Sequence, residues 1–212
     1  GYFGVLEPLG GTGLAVVHTI NVAIVFAMAS YTARFYYNTV RRAERQLVEL
    51  ATRDSLTGLS NRRNLLERTE QEITRAKRSG APISLILADI DHFKRINDTL
   101  GHEVGDRVIV HAAGRLLQAC REQDIVARWG GEEFLLVLPE TAIHEAGVLA
   151  ERIRGALVAD PMEHSGRPVP FTLSFGIATM AAGESISEAI ARTDRALYRS
   201  KAQGRDRISL EQ

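Results

Sequence analysis

Hydrophobic positions along the chain follow three successive patterns. Between Glu7 and Arg34 no charged side chain occurs, and the middle of that span reads LAVVHTINVAIVFAMAS. From Pro8 to Ala33, 26 residues, a helix rising about 1.5 Å per residue reaches about 39 Å, more than the roughly 30 Å hydrocarbon core of a bilayer. Residues 1–33 are therefore expected to form a membrane-spanning helix, although a buried core helix of a soluble domain shows the same pattern. His18, Thr19 and Asn21 suit packing against other membrane helices. Gly1 is not an initiator methionine, so this helix is read as the last of a longer membrane region. Arg34, Arg41, Arg42 and Arg45 mark its cytoplasmic end, and Tyr31, Phe35, Tyr36 and Tyr37 fall where an interfacial aromatic belt sits.

The second pattern runs through residues 34–53. Ala33, Tyr36, Val40, Ala43, Leu47 and Leu50 are spaced 3, 4, 3, 4, 3, the seam of a parallel dimeric coiled-coil stalk; a single amphipathic helix has the same spacing.

The third pattern, from residue 54 to 212, alternates short apolar runs with amphipathic stretches. Asn61 can cap a helix that carries Leu65, Leu66, Thr69, Ile73 and Ala76 on one side and stops at SerGlyAlaPro. Residues 82–90, PISLILADI, read as a buried strand ending where Asp89 meets the following loop. A helix over about 103–121 buries Val104, Val108, Ala112, Leu116 and Cys120. DIVARW and FLLVL make two strands around Gly130 and Gly131, and a two-residue Gly-Gly connection predicts a tight primed turn with positive φ. A helix near 142–158, a strand at 171–178, a helix near 186–202 and a strand near 207–210 follow. Strands and helices mix without strict alternation, which predicts an α/β (α+β) domain with a mainly antiparallel central sheet flanked by helices.

Charge and cysteine content narrow the function. Lys plus Arg number 26 and Asp plus Glu number 26, so no overall basic excess points to nucleic acid. The one cysteine, Cys120, excludes an internal disulfide and a thiol-rich zinc site, and reads as a small apolar residue. The run WGGEEF sets Glu132 and Glu133 inside an apolar stretch. If the hairpin lies beside the 82–90 strand, Asp89, Glu132 and Glu133 converge at one edge of the sheet. An oxygen-only cluster suits a hard cation such as Mg²⁺ or Mn²⁺; acids decorating an exposed turn fit the spacing equally.

GlyGlyGluGluPhe at 130–134 resembles the signature of the GGDEF-domain family of diguanylate cyclases, in its GGEEF form. The resemblance extends over DSLTGLSNRR at 54–63, DIDHFKRINDTLGHEVGD at 89–106, RWGGEEF at 128–134 and LYRSKAQGRDR at 197–207. It implies a palm-like fold similar to nucleotidyl cyclases, and condensation of two GTP into cyclic di-GMP with release of two pyrophosphates across a head-to-head homodimer.

By that resemblance Asp89, the carbonyl of Ile90 and Glu132 would hold Mg²⁺ or Mn²⁺. Glu132 would also accept the 3′-hydroxyl proton, with Glu133 close by; spacing leaves the division between them open. Gly130 and Gly131 would let a triphosphate approach the backbone. Asn97 and Asp106 match the residues that read the guanine edge, and a carboxylate there favours GTP over ATP. His102 matches another substrate contact, Lys94 a phosphate-side lysine, and Lys201 with Arg205 the pair that meets the γ-phosphate. Arg121 and Asp124 form ArgXaaXaaAsp five residues ahead of Gly130; with Arg152 they match the family's product-inhibition site, and arginine suits both phosphate contact and stacking on guanine.

The implied localisation is the bacterial inner membrane, with the catalytic domain in the cytoplasm. The alternative is a catalytically silent GGDEF domain that binds cyclic di-GMP or GTP as an interaction module. Such domains usually carry an eroded GGEEF or guanine-reading residue, and none is eroded here.

Overall fold

The computed structural model describes residues 11–211, with side chains described except those of residues 11, 12, 42–47 and 49–51. Two units meet at a boundary between Glu49 and Leu50. The first holds most of a helix, α1 (Gly11–Thr52), 42 residues long, whose last three residues belong to the second. Its stretch Gly13–Arg41 is long and apolar enough to cross a membrane, and none of its most apolar window is buried. Leu14, Val25, Phe26 and Tyr36 are all exposed, and so are Ala33, Val40, Arg34 and Arg41. The side chains of Arg42, Arg45, Ala43, Leu47 and Leu50, on which the seam and the charge flank also rest, lie outside the described ones.

The second unit contains β1 (Ser60–Asn61), α2 (Arg62–Ser79), β2 (Ile83–Ile90), α3 (Phe93–Leu100), α4 (His102–Ala119), β3 (Ile125–Arg128) and β4 (Glu133–Pro139). It continues with α5 (Ile143–Ala159), β5 (Met162–His164), β6 (Arg167–Val169), β7 (Leu173–Thr179), α6 (Ile186–Ala202) and β8 (Ile208–Glu211). Six strands form one sheet in the order β1-β3-β4-β2-β7-β8, while β5 and β6 form a separate hairpin. The interior pairings β3–β4, β4–β2 and β2–β7 are antiparallel, and the outer pairings β1–β3 and β7–β8 are parallel. The mainly antiparallel sheet flanked by helices is as the sequence predicts.

The continuous apolar run of β2 has a direct cause. Ile86, Ala88 and Ile90 join the core formed with α3, α4 and α5, whereas Ile83, Leu85 and Leu87 join a second core with residues of α2 and α6. A strand covered on both faces loses the usual alternation. Local signals end the helices where expected. Asn61 accepts the N–H of Asn64 at 2.9 Å, Gly80 closes α2 at φ 73°, and Ser185 with Glu188 forms a capping box on α6. At Gly176 a Cβ would lie 2.2 Å from backbone atoms of Leu197 and Thr193, so only glycine lets α6 pack this closely on β7.

Three expectations need correction, and one element is additional. The segment after Asp89 is not simply a loop, because α3 follows Asp91 and His92 almost at once. The β5–β6 hairpin was not anticipated. Cys120 lies past the end of α4 with extended backbone, half-buried rather than fully buried; burial pushes its thiol up to about 12. The Gly130–Gly131 connection is not a primed two-residue turn, since neither glycine has positive φ. The chain instead reverses over Gly130–Glu132, with the N–H groups of Trp129 and Gly130 both donating to the Glu133 carbonyl at 2.8 and 3.3 Å.

Candidate functional site

The two central strands β2 and β4 run antiparallel in a register that sets Asp89 directly opposite Glu133. Cross-strand partners share a face of the sheet, so two carboxylates stand side by side where like charges repel. Both are on the face that α6 covers, and from that helix the Lys201 ammonium reaches Asp89 at 2.8 Å. Burial pushes the Asp89 carboxyl up to about 6; Lys201 opposes the rise, and Glu132 and Glu133 add to it. Glu132 lies in the turn, half-buried like Glu133, and its backbone carbonyl accepts the N–H of Ile90 at 3.3 Å.

The hairpin does lie beside β2, but the three carboxylates do not converge into one compact group. They gather at one end of the two central strands rather than along an edge. Among the described residues no three His, Cys, Asp or Glu side chains stand close enough to hold a metal. Lys201 engages Asp89, and no ion pair among the described residues reaches Glu132 or Glu133. The donors available, carboxylates of Asp89, Glu132 and Glu133 and the carbonyl of Ile90, are all oxygens. That set fits a hard cation such as Mg²⁺, which takes few protein ligands and completes its shell with water and phosphate.

Arg128 fixes the turn. Its guanidinium donates to the Gly131 carbonyl at 3.0 and 2.8 Å and pairs with Asp54 at 3.2 Å. Partial burial pushes the Asp54 carboxyl up, but the hydrogen bonds from Thr57 and then the Arg128 pairing together hold it below the usual range. Trp129 is covered by the Arg62 guanidinium, 4.2 Å from the ring centroid. Neither Arg128 nor Asp54 was singled out from the sequence, although both stand in the quoted blocks. The glycines act differently from each other. A Cβ on Gly130 would lie 2.9 Å from Glu133 Oε2, and one on Gly131 would point into open space.

The other predicted substrate residues flank this end of the sheet on α3, α4 and the C-terminal turn. Lys94 and Asn97 are on α3, His102 and Asp106 on the first turns of α4; Lys94, His102 and Asp106 are exposed. Asn97 Oδ1 is buried without a hydrogen-bond partner. α4 approaches it so closely that a Cβ on Gly105 would lie 1.9 Å away. Arg205, half-buried, follows α6 with φ 61°.

A separate cavity of about 220 Å³ is lined by Arg121, Asp124, His144, Glu145 and Arg152, among others, so the three residues of the expected second site do meet. Asp124 accepts the Arg121 N–H at 2.7 Å, and Arg152 donates to the Ala119 carbonyl. Burial raises the Asp124 carboxyl, opposed by that hydrogen bond and by both guanidinium groups.

Comparison with known proteins shows the family. The family described as "Diguanylate cyclase, GGDEF domain" matches residues 51–207. The diguanylate cyclase DgcP of Pseudomonas aeruginosa is 46% identical over 160 residues, covering 76% of this chain and 24% of that protein. The response regulator PleD of Caulobacter vibrioides is 40% identical over 164 residues, covering 76% of this chain and 36% of that one. The chain therefore spans about a quarter to a third of the length of these relatives. Among solved structures, the coiled coil and GGDEF domain of DgcB from Caulobacter crescentus in complex with c-di-GMP superposes with a TM-score of 0.80 at 31% identity, covering 89% of this chain and 99% of that one. The diguanylate cyclase SiaD in complex with its activator SiaC, from Pseudomonas aeruginosa, does so with a TM-score of 0.74 at 38% identity, covering 93% and 75%. With a strand-end acidic pair, an arginine-fixed GGEEF turn and a family match over three-quarters of its length, the chain belongs to the GGDEF family of diguanylate cyclase domains.

Proposed function

We propose that the chain is a membrane-tethered diguanylate cyclase that condenses two GTP into cyclic di-GMP. The observation that carries this reading is the Asp89–Glu133 pair at the end of β2 and β4, faced by Lys201 and bordered by the GGEEF turn. Two negative charges set side by side at a strand end cost stability, and phosphoryl transfer is the chemistry that this family uses such charges for.

Each subunit of a homodimer holds one GTP. The 3′-oxygen of each bonds to the α-phosphorus of the other, the α–β phosphoanhydride bond breaks, and pyrophosphate leaves. The 3′-hydroxyl proton passes to Glu132 or Glu133. Asp89, the Ile90 carbonyl and Glu132 would hold Mg²⁺ or Mn²⁺, which would supply charge neutralisation at the phosphates. Lys94, Lys201 and Arg205 meet phosphate oxygens, and Lys201 exchanges Asp89 for the nucleotide. Asn97 and Asp106 read the guanine edge; the unpartnered Asn97 Oδ1 supports this, because a buried acceptor without a donor is costly unless a ligand supplies one. His102 borders the base, and the open side of Gly131 admits the triphosphate. Cyclic di-GMP returns as an inhibitor at the Arg121, Asp124 and Arg152 cavity and shifts the population toward separated active sites. Residues 1–33 cross the bacterial inner membrane, 34–53 form the stalk, and the domain from 54 lies in the cytoplasm.

Product analysis after incubation with GTP and Mg²⁺, beside a Glu132→Gln variant, tests the reading. Cyclic di-GMP from the parent and almost none from the variant is expected. No product from a parent confirmed to be dimeric, together with product binding that depends on Arg121, is the result of a silent receptor domain.

A further inference from the structure

Asp91 lies outside every role assigned so far, yet it is 4% exposed and its carboxylate accepts three hydrogen bonds. Oδ1 accepts the Ser174 hydroxyl at 2.7 Å; Oδ2 accepts the Thr172 hydroxyl at 2.7 Å and the backbone N–H of Asp206 at 3.1 Å. Asp206 belongs to the turn after α6, in which Arg205 and Asp206 stand in the left-handed region at φ 61° and 44°. Two consecutive residues with Cβ atoms do not hold that conformation unaided, and surrounding contacts must fix it. Here the Arg205 N–H donates to the Ser200 carbonyl at 3.0 Å, and the Asp206 carboxylate meets Arg154 at 3.3 Å. The Arg207 guanidinium donates to the Arg205 carbonyl at 3.0 Å and the Phe175 N–H to the Arg207 carbonyl at 2.9 Å, and Asp91 adds a side-chain hold from the strand end that carries Asp89.

We propose that Asp91 is a positioning residue: it clamps the Gly204–Arg207 turn against the end of β2 and so aims Arg205 at the γ-phosphate of GTP. The proposal rests on the diguanylate cyclase reading, and it assigns Asp91 no contact with substrate or metal. An asparagine can preserve the clamp, with its oxygen toward Thr172 and Asp206 and its amide donating to the Ser174 hydroxyl, which can turn to accept. An alanine cannot.

The test is calorimetric binding of GDP and of the non-reacting triphosphate guanosine-5′-[(α,β)-methyleno]triphosphate in Mg²⁺, with the purified 212-residue chain. Asp91→Ala is expected to lose about tenfold in its preference for triphosphate over diphosphate, on the scale of one charge-assisted hydrogen bond, while Asp91→Asn stays within about threefold of the parent. Cyclic di-GMP binding at the Arg121 cavity should be unchanged in both. If Asp91 works through Arg205, the double variant Asp91→Ala/Arg205→Ala loses no more preference than Arg205→Ala alone. Should Asp91→Ala fail to fold, Thr172→Val carries the test, with Thr172→Ser as its restored control.

An asparagine variant as impaired as alanine overturns the proposal, because it puts Asp91 in the chemistry itself. Unchanged preference in Asp91→Ala, or losses that multiply in the double variant, overturns it too. A parent that binds neither nucleotide overturns the diguanylate cyclase reading and the clamp together; a parent that prefers the triphosphate, with variants that share that preference, overturns the clamp alone.

Discussion

The two ends of β2 are built on opposite principles. At the end near Ser84 the polar groups are neutral or paired: Ser84 donates to the Thr141 carbonyl at 2.7 Å and meets the Thr179 hydroxyl at 2.7 Å, while Thr141 donates to Pro139 at 2.9 Å. The ion pair there, Arg192 with Glu184 at 2.7 Å, is matched one to one, and Arg192 also donates to the Thr179 carbonyl. At the other end Asp89 stands near Glu132 and Glu133, Lys201 is paired with Asp89 alone among the described residues, and burial pushes Asp89 up to about 6. One end is arranged to hold the strand in place. The other keeps a surplus of negative charge that a stability criterion alone would remove, which is the mark of a site kept for function.

The largest effect expected from breaking this contrast is at the charged end. Asp89→Asn should lower cyclic di-GMP synthesis by about 100-fold or more, because an amide is a poor ligand for a hard cation and leaves phosphate charge unopposed. The same change removes a buried charge that two carboxylates repel, so the melting temperature should not fall. A variant that loses activity and also melts well below the parent would show that Asp89 serves the fold, and the contrast between the ends would collapse.

The neutral end predicts the reverse. Ser84 is fully buried, and Ser84→Ala leaves the Thr141 carbonyl and the Thr179 hydroxyl short of a partner at a cost of about 1–3 kcal/mol. For a unit of this size that is a fall of about 2–4 °C in melting temperature per kcal/mol. Turnover per folded subunit should match the parent. A loss of turnover without a loss of stability would place function at both ends.

How much of this was legible in the sequence follows from the range of the interactions. The strand at 82–90, the capped helix after Asn61 and the mainly antiparallel sheet were readable, because apolar runs and cap residues act within a few positions. α3 was not, since its apolar anchors are only Phe93 and Ile96 across eight residues, too short for a periodic signal. The Gly130–Gly131 turn was misread because a side chain as well as the glycines holds it: the Arg128 guanidinium donates to the Gly131 carbonyl and is itself paired with Asp54, distant along the chain. Candidate site residues came almost entirely from the family resemblance. Spacing alone could not show that Asp89 and Glu133 are register partners, that Asn97 Oδ1 is unpartnered or that Asp91 holds the far turn, since each depends on elements distant along the chain.

The smallest effect sharpens the contrast by asking whether the ion pair at the quiet end acts through charge. Hydrogen bonding from Arg192 holds the Glu184 carboxyl below its ordinary range. A carboxylate with a depressed folded-state pKa contributes stability that is present above its unfolded value and is lost as pH falls through the folded value. The two side chains are 11% and 19% exposed, so the pair sits between the exposed and buried cases and is worth about 1 kcal/mol. Glu184→Gln should therefore melt about 2–4 °C below the parent at pH 7. The gap should close as pH drops below the ordinary glutamate value of about 4.3, where the parent's own carboxyl becomes protonated. Melting curves of parent and variant across that range decide it: a gap that stays constant into acid would mean that Glu184 acts by shape and hydrogen bonding, and the paired charge would contribute nothing to holding this end of β2.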